Sequence, residues 1–227
     1  MFATLRVPMR VTHLQRPLAT LAVTAAALVA VAPVRAVAQP ITDPAGDFLS
    51  TFTGPHNGDL DVLSAQVLFN GSQFMFTSRQ NGAIGTTPGA LYVWGVNRGS
   101  GTSPGGAFAP DVKFDAVVVF NPAGGSFVRD LRSAVNTPLS GVTFSGNMIG
   151  GMVPLALLPS LGFAPSAYTV NLWPRTGLAN DAQIADFAPD THNFAVTTTP
   201  EPGTWALLGT GLTLLGGVAM RRRQRGS

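Results

Sequence analysis

The chain has 227 residues, no cysteine, and 14 basic against 11 acidic residues, for a formal charge of +3. Without cysteine there are no disulfides, thiol nucleophiles or thiolate metal sites. The positive charge belongs to the ends: between residues 39 and 200 six basic residues face ten aspartates, a net −4. That removes the basic face a nucleic-acid binder needs.

At the front, Arg6, Arg10 and Arg16 precede the uninterrupted apolar run LATLAVTAAALVAVA at 18–32, and Ala36-Val37-Ala38 follows. A charged start, an apolar run and a small-x-small site, in that order, predict a secretory signal peptide over 1–38. Signal peptidase would read Ala36 and Ala38 and cut before Gln39. The competing reading is a membrane anchor, but fifteen helical residues span only about 22 Å, short of the ~30 Å hydrocarbon core.

The body, 39–198, opens on two acidic turns, Asp43-Pro44-Ala45-Gly46-Asp47 and Asn57-Gly58-Asp59-Leu60-Asp61. Carboxylates and carbonyls on Gly-rich turns are the donors that Ca²⁺ takes, which makes Asp43, Asp47, Asp59 and Asp61 candidate calcium ligands. The same residue types also cap turns through local hydrogen bonds and need no metal for it. The Asp-Pro-x-Gly-Asp opening resembles the start of DOMON-like and family-9 carbohydrate-binding domains, a resemblance that implies a β-sandwich with a sugar ligand.

Next comes VLSAQVLF-NG-SQFMFTSR at 62–79. Alternation on both sides of Asn-Gly predicts a β-hairpin, with Phe69 opposite Ser72, Val67 opposite Phe74, Ala65 opposite Phe76 and Leu63 opposite Ser78. Further strands are predicted at 91–97, 113–121, 126–131, 142–147, 167–173 and 193–197, with NPAGG at 121–125 as a second hairpin connection. Residues 99–107 (GSGTSPGGA) read as a flexible loop, and PLALLPSL at 154–161 as one short helix opened by proline. Seven or eight short strands separated by turn signals predict an all-β, antiparallel β-sandwich. Trp94 and Trp173, with Tyr92 and Tyr168 nearby in sequence, are candidates for a sugar-stacking platform. Strand aromatics are also common core residues.

The chain closes on Pro200-Glu201-Pro202-Gly203, the apolar run WALLGTGLTLLGGVAM at 205–220, and Arg221-Arg222-Arg223-Gln224-Arg225. The prolines stop helix propagation and leave the backbone extended. The apolar run is barely long enough to span a bilayer as a single transmembrane helix. The arginines would stay in the cytoplasm, leaving the body outside. The segment 199–227 resembles the PEP-CTERM sorting signal of Gram-negative bacteria, with Pro200, Glu201 and Pro202 as the signature and Arg221, Arg222 and Arg223 as its basic end. The resemblance implies recognition by an exosortase, cleavage near the tripeptide, and a link to exopolysaccharide and biofilm. An ordinary C-terminal anchor would share the hydrophobicity and the flanking charge.

No residue constellation reads as catalytic. His56 and His192 lie in no motif, and paired aspartates alone do not define a glycosidase. The expectation is a non-enzymatic protein of the cell surface or extracellular matrix, anchored first in the inner membrane. Its partners would be signal peptidase, an exosortase, the membrane and the exopolysaccharide. It needs no cofactor beyond the candidate Ca²⁺. A carbohydrate-binding module is the alternative, and an envelope glycoside hydrolase comes last.

Overall fold

The structure, a computed structural model, describes residues 39–103, 109–199, 209 and 211–213. Twelve strands follow one another in the body: β1 (Ile41–Thr42), β2 (Val62–Phe69), β3 (Gln73–Gln80), β4 (Leu91–Asn97), β5 (Ala116–Phe120), β6 (Phe127–Asp130), β7 (Asn136–Pro138), β8 (Thr143–Ser145), β9 (Met148–Pro154), β10 (Thr169–Arg175), β11 (Phe194–Ala195) and β12 (Thr197–Thr198). They form two six-stranded sheets. The first runs β1-β2-β3-β9-β8 with β12 added beside β2, and the second runs β11-β10-β4-β5-β6-β7. Among these strands every pairing is antiparallel except that of β12 with β2. The all-β, antiparallel expectation therefore holds for the body. Where a short helix was expected after Pro154, there is a single 3-10 turn, Leu155–Leu157.

The sheets pack face to face through aromatic rings. Phe76 on β3 meets Trp94 on β4 edge-on at 5.2 Å and Phe120 on β5 at 6.1 Å, while Phe74 stacks on Tyr168 at 5.5 Å. All five rings are fully buried, and aliphatic side chains such as Val67, Val118, Ile149 and Leu172 fill the space around them. Edge-to-face pairs at these spacings add about 0.5–1.5 kcal/mol each beyond simple burial.

The second sheet is covered on its outer face as well. Along β5, Ala116, Val118 and Phe120 point into the sandwich, and Val119 points outward into a second apolar cluster with Val93 and Trp173. Ala109 and Val112 before β5, and Ile184 and Phe187 after β10, complete that layer. Burial on both faces explains why β4 (LYVWGVN) and β5 (AVVVF) are nearly continuous apolar runs, while β2 and β3 alternate.

The hairpin of β2 and β3 forms with a corrected register. Phe69 pairs with Phe74, Val67 with Phe76 and Ala65 with Ser78. The turn is centred one residue later than Asn-Gly predicts, because Asn70 acts through its side chain. Its Oδ1 accepts from the amides of Ser72 and Gln73 at 3.0 Å each, and Gly71 takes the positive φ of 95°. The shift moves each partner by two residues, which preserves faces, so the apolar side chains still point inward.

The pattern hides β9. Its sequence MIGGMVP carries two glycines that weaken any strand signal. A Cβ on Gly151 would lie 2.4 Å from the Phe120 ring, so the glycine is what lets the two sheets close over that aromatic. The loop predicted at 99–107 is fastened over its first part. Asn97 Oδ1 accepts from the amides of Gly99 and Gly101, and Thr102 bridges to Phe114. Residues 104–108 lie outside the described residues.

Candidate functional site

Two features of the sandwich stand out chemically: a groove on the outer face of the second sheet, and a knot of carboxylates at one end.

The groove has a volume of about 570 Å³. Its floor is Val93, Val119 and Trp173, side chains that alternate with core residues along β4, β5 and β10. The Trp173 indole packs over Gly95 of β4, diagonal to its register partner Val93, where a Cβ would come within 2.5 Å of the ring. Phe114 tilts against the same indole at 4.8 Å and Phe187 at 5.7 Å. The indole Nε1 is buried without a hydrogen-bond partner. Polar groups stand along the rim: Arg129 Nη1 donates to Asn136 Oδ1 at 2.9 Å, and Arg175 Nη2 donates to the carbonyl of Asn180 at 2.8 Å. Burial lowers the pKa of Arg175, and nearby Asp181 acts in the opposite sense. An apolar lining with a few polar groups at its edge is the usual make-up of a small-ligand site, and the volume lies in the usual range.

The two predicted ligand-binding tryptophans are therefore separated. Trp173 lines the floor of the groove but is itself buried, 4% exposed within the second apolar cluster. Trp94 points into the sandwich and is fully buried between Phe76 and Phe120, so it presents no face to a ligand. Tyr92 and Tyr168 are fully buried too. Strand parity accounts for the difference: in the pairing of β4 with β10, Trp94 lies opposite Leu172, one position away from Trp173 and hence on the other face.

The four predicted calcium ligands also divide. Asp59 is fully buried and engaged elsewhere, accepting from Thr87 N at 2.8 Å and Thr87 Oγ1 at 2.6 Å. That is a turn-capping role, the competing reading of this residue type. Asp43 and Asp47 meet Asp186, whose oxygens lie with theirs within 4.8 Å of one another. Asp61 borders this group, and its Oδ2 accepts from Gly46 N and Asn81 Nδ2, both at 2.9 Å. Asp186 is the residue that sequence reasoning missed. It sits in an irregular stretch after β10, more than a hundred residues from Asp43, and no local motif could have joined them. Burial pushes the Asp43 carboxyl up to about 8, with Asp186, Asp47, Asp190 and Asp61 adding to the rise. Burial likewise pushes Asp186 up to about 7, against the pull of the Val62 and Phe187 amides, with Asp47 and Asp61 contributing.

Neither histidine lines the groove or belongs to the carboxylate group. His56 is exposed and stacks on Phe48 at 4.4 Å, while His192 Nδ1 lies 3.3 Å from Thr191 Oγ1.

The last strand leads directly to the C-terminal segment. Thr197 and Thr198 pair with Leu68 and Phe69, and Thr199 N donates to the Phe69 carbonyl at 3.0 Å. The predicted signal-peptide residues Ala36 and Ala38, and the sorting residues Pro200, Glu201, Pro202, Arg221, Arg222 and Arg223, lie outside the described residues. No helix among the described residues is long and apolar enough to cross a membrane.

Neither the curated proteins nor the solved structures give a match to this chain. Residues 198–223 match the PEP-CTERM protein-sorting motif, so the chain carries a C-terminal tag for export, delivery to the envelope and processing by an exosortase.

Proposed function

We propose that the protein is a non-catalytic structural or adhesive component of the extracellular polymer, exported through its signal peptide and held at the inner membrane by its C-terminal helix until an exosortase releases or transfers it. The observation that carries this reading is the join between fold and tag. The sandwich runs without a spacer into the sorting motif, which begins at residue 198 inside β12. The tag thus delivers a packed β-domain directly at the membrane surface, where an adhesive domain meets the growing polymer. Removing the gene from the producing cell should lower the polysaccharide retained by washed cells several-fold, with recovery on re-expression of the native chain. Unchanged retention would sink the reading.

The groove favours a second reading, in which adhesion is sugar binding. The apolar faces of sugar rings pack on aromatic side chains, and Trp173, Phe114 and Phe127 line the groove beneath Arg129 and Asn136. Leu178 is 57% exposed on the rim, so Leu178→Asp should leave the thermal midpoint within about 2 °C of native. It should weaken saturable binding of the host's own exopolysaccharide about tenfold, the loss of roughly 1.4 kcal/mol of contact. Calorimetric titration of both proteins measures this. If the native chain shows no saturable binding, the groove is not a sugar site.

A further inference from the structure

We propose that Asp43, Asp47 and Asp186 hold a calcium ion that clips the two sheets together at one end of the sandwich, with Asp61 bordering the site. The geometry is the first support. Oxygens bound to one Ca²⁺ at about 2.4 Å can be no more than about 4.8 Å apart, and ligand oxygens of Asp43, Asp47 and Asp186 meet that limit. The second support is independent of the clustering. Asp186 and Asp61 are only 1% and 2% exposed, yet Oδ1 of each has no hydrogen-bond partner. Each uses its other oxygen structurally: Asp186 Oδ2 accepts from Val62 N at 2.8 Å, and Asp61 Oδ2 accepts from Gly46 N and Asn81 Nδ2. One oxygen of each is therefore fixed by the fold while the other is left buried and unpaired. Asp43 Oδ2 is buried without a partner as well.

A buried carboxylate without donor or counter-charge is strongly unfavourable, and several together are more so. Protein cations do not relieve it: among the described residues the ion pairs are both made by Arg98, to Asp115 and Asp130. An all-oxygen donor set excludes soft metals, and an irregular cage of several carboxylates suits Ca²⁺ better than the small, strictly octahedral Mg²⁺. Export places the chain where calcium is plentiful enough for a site of modest affinity.

The ligands come from two separate stretches. Asp43 and Asp47 follow β1 in the first sheet. Asp186 belongs to the segment that bridges to β10 of the second sheet through Ile184 and Ala188. An ion here ties the chain's opening turn and both sheets at a single point.

The test uses the full chain in detergent micelles. In 10 mM CaCl₂ its thermal midpoint should rise about 5–10 °C over the midpoint in EDTA, as expected for a ligand at some hundred times its Kd and a domain of this size. Calorimetry should count one Ca²⁺ per chain. Asp43→Asn should abolish the calcium shift while melting in EDTA no lower than native, because Asp43 Oδ2 has no hydrogen-bond partner to lose. Asp111→Asn, at an exposed position outside the cluster, should keep the full shift. Three results would each overturn the proposal: equal midpoints in calcium and EDTA, a shift that survives both Asp43→Asn and Asp186→Asn, or an equal rise in 10 mM MgCl₂.

Discussion

Replacing Trp94 by Ala is expected to lower the thermal midpoint of the body by about 10–15 °C. Trp94 is fully buried and central, with Phe76 edge-on at 5.2 Å and Phe120 at 6.3 Å. Truncating a buried Trp typically costs about 3–5 kcal/mol, since lost transfer free energy is joined by a cavity the neighbours only partly close. For a domain of this size each kcal/mol moves the midpoint by roughly 2–4 °C. Relaxation at this site is limited. Phe120 is held over Gly151 and Phe76 is paired in β3 between β2 and β9, so neither ring can slide far into the gap. Calorimetry of native and variant chains decides it. A midpoint within 3 °C of native, together with selective loss of polysaccharide binding, would place Trp94 on a ligand surface instead.

The second large effect concerns Arg98. Its guanidinium is fully buried at the end of β4, with Nε donating to Asp115 Oδ1 at 2.6 Å and Nη2 to Asp130 Oδ2 at 2.7 Å. Burial works against the charge on Arg98, but the hydrogen bonds to Asp115 and Asp130 outweigh it and raise its pKa. Arg98→Met keeps much of the side-chain volume and leaves Asp115, itself 4% exposed, as an unpaired buried charge. Removing one partner of such a pair costs about 3–5 kcal/mol. The expected fall is again about 10 °C or more. Adding Asp115→Asn should recover part of the loss by removing the stranded charge. Recovery stays partial because Asp115 Oδ2 also accepts from the amides of Arg98 and Ser100. A single variant as stable as native would mean the ion pair contributes nothing to the fold.

The features legible in the sequence are those whose signal is local. The hairpin of β2 and β3 rests on eight alternating residues either side of a turn, and it forms. Its register escaped because Asn70 uses its side chain as the turn acceptor, a choice no periodicity records. The strand β9 escaped because Gly150 and Gly151 dilute the apolar pattern for a reason that exists only in three dimensions, the approach of Phe120. Trp94 and Trp173 read identically as strand tryptophans, and only the parity of β4 against β10 puts one between the sheets and the other in the apolar cluster beneath the groove. Part of the carboxylate cluster was visible, since Asp43, Asp47 and Asp61 sit on turns at the opening of the body. Asp186 was not, because its place beside them depends on the segment after β10 folding back against the start of β2. The C-terminal tag was the most legible element, for it is read as a linear sequence and needs no fold.

The claim on which the functional account rests is that a strand-built body is exported between two disposable ends. Intact-mass analysis of the protein recovered from the envelope or matrix of its producing cell tests it most directly. The account predicts a chain that begins at Gln39 and ends near Pro200, with any attached group adding to that mass. A chain that retains residues 1–38, or one that still carries Arg221, Arg222 and Arg223, would contradict it.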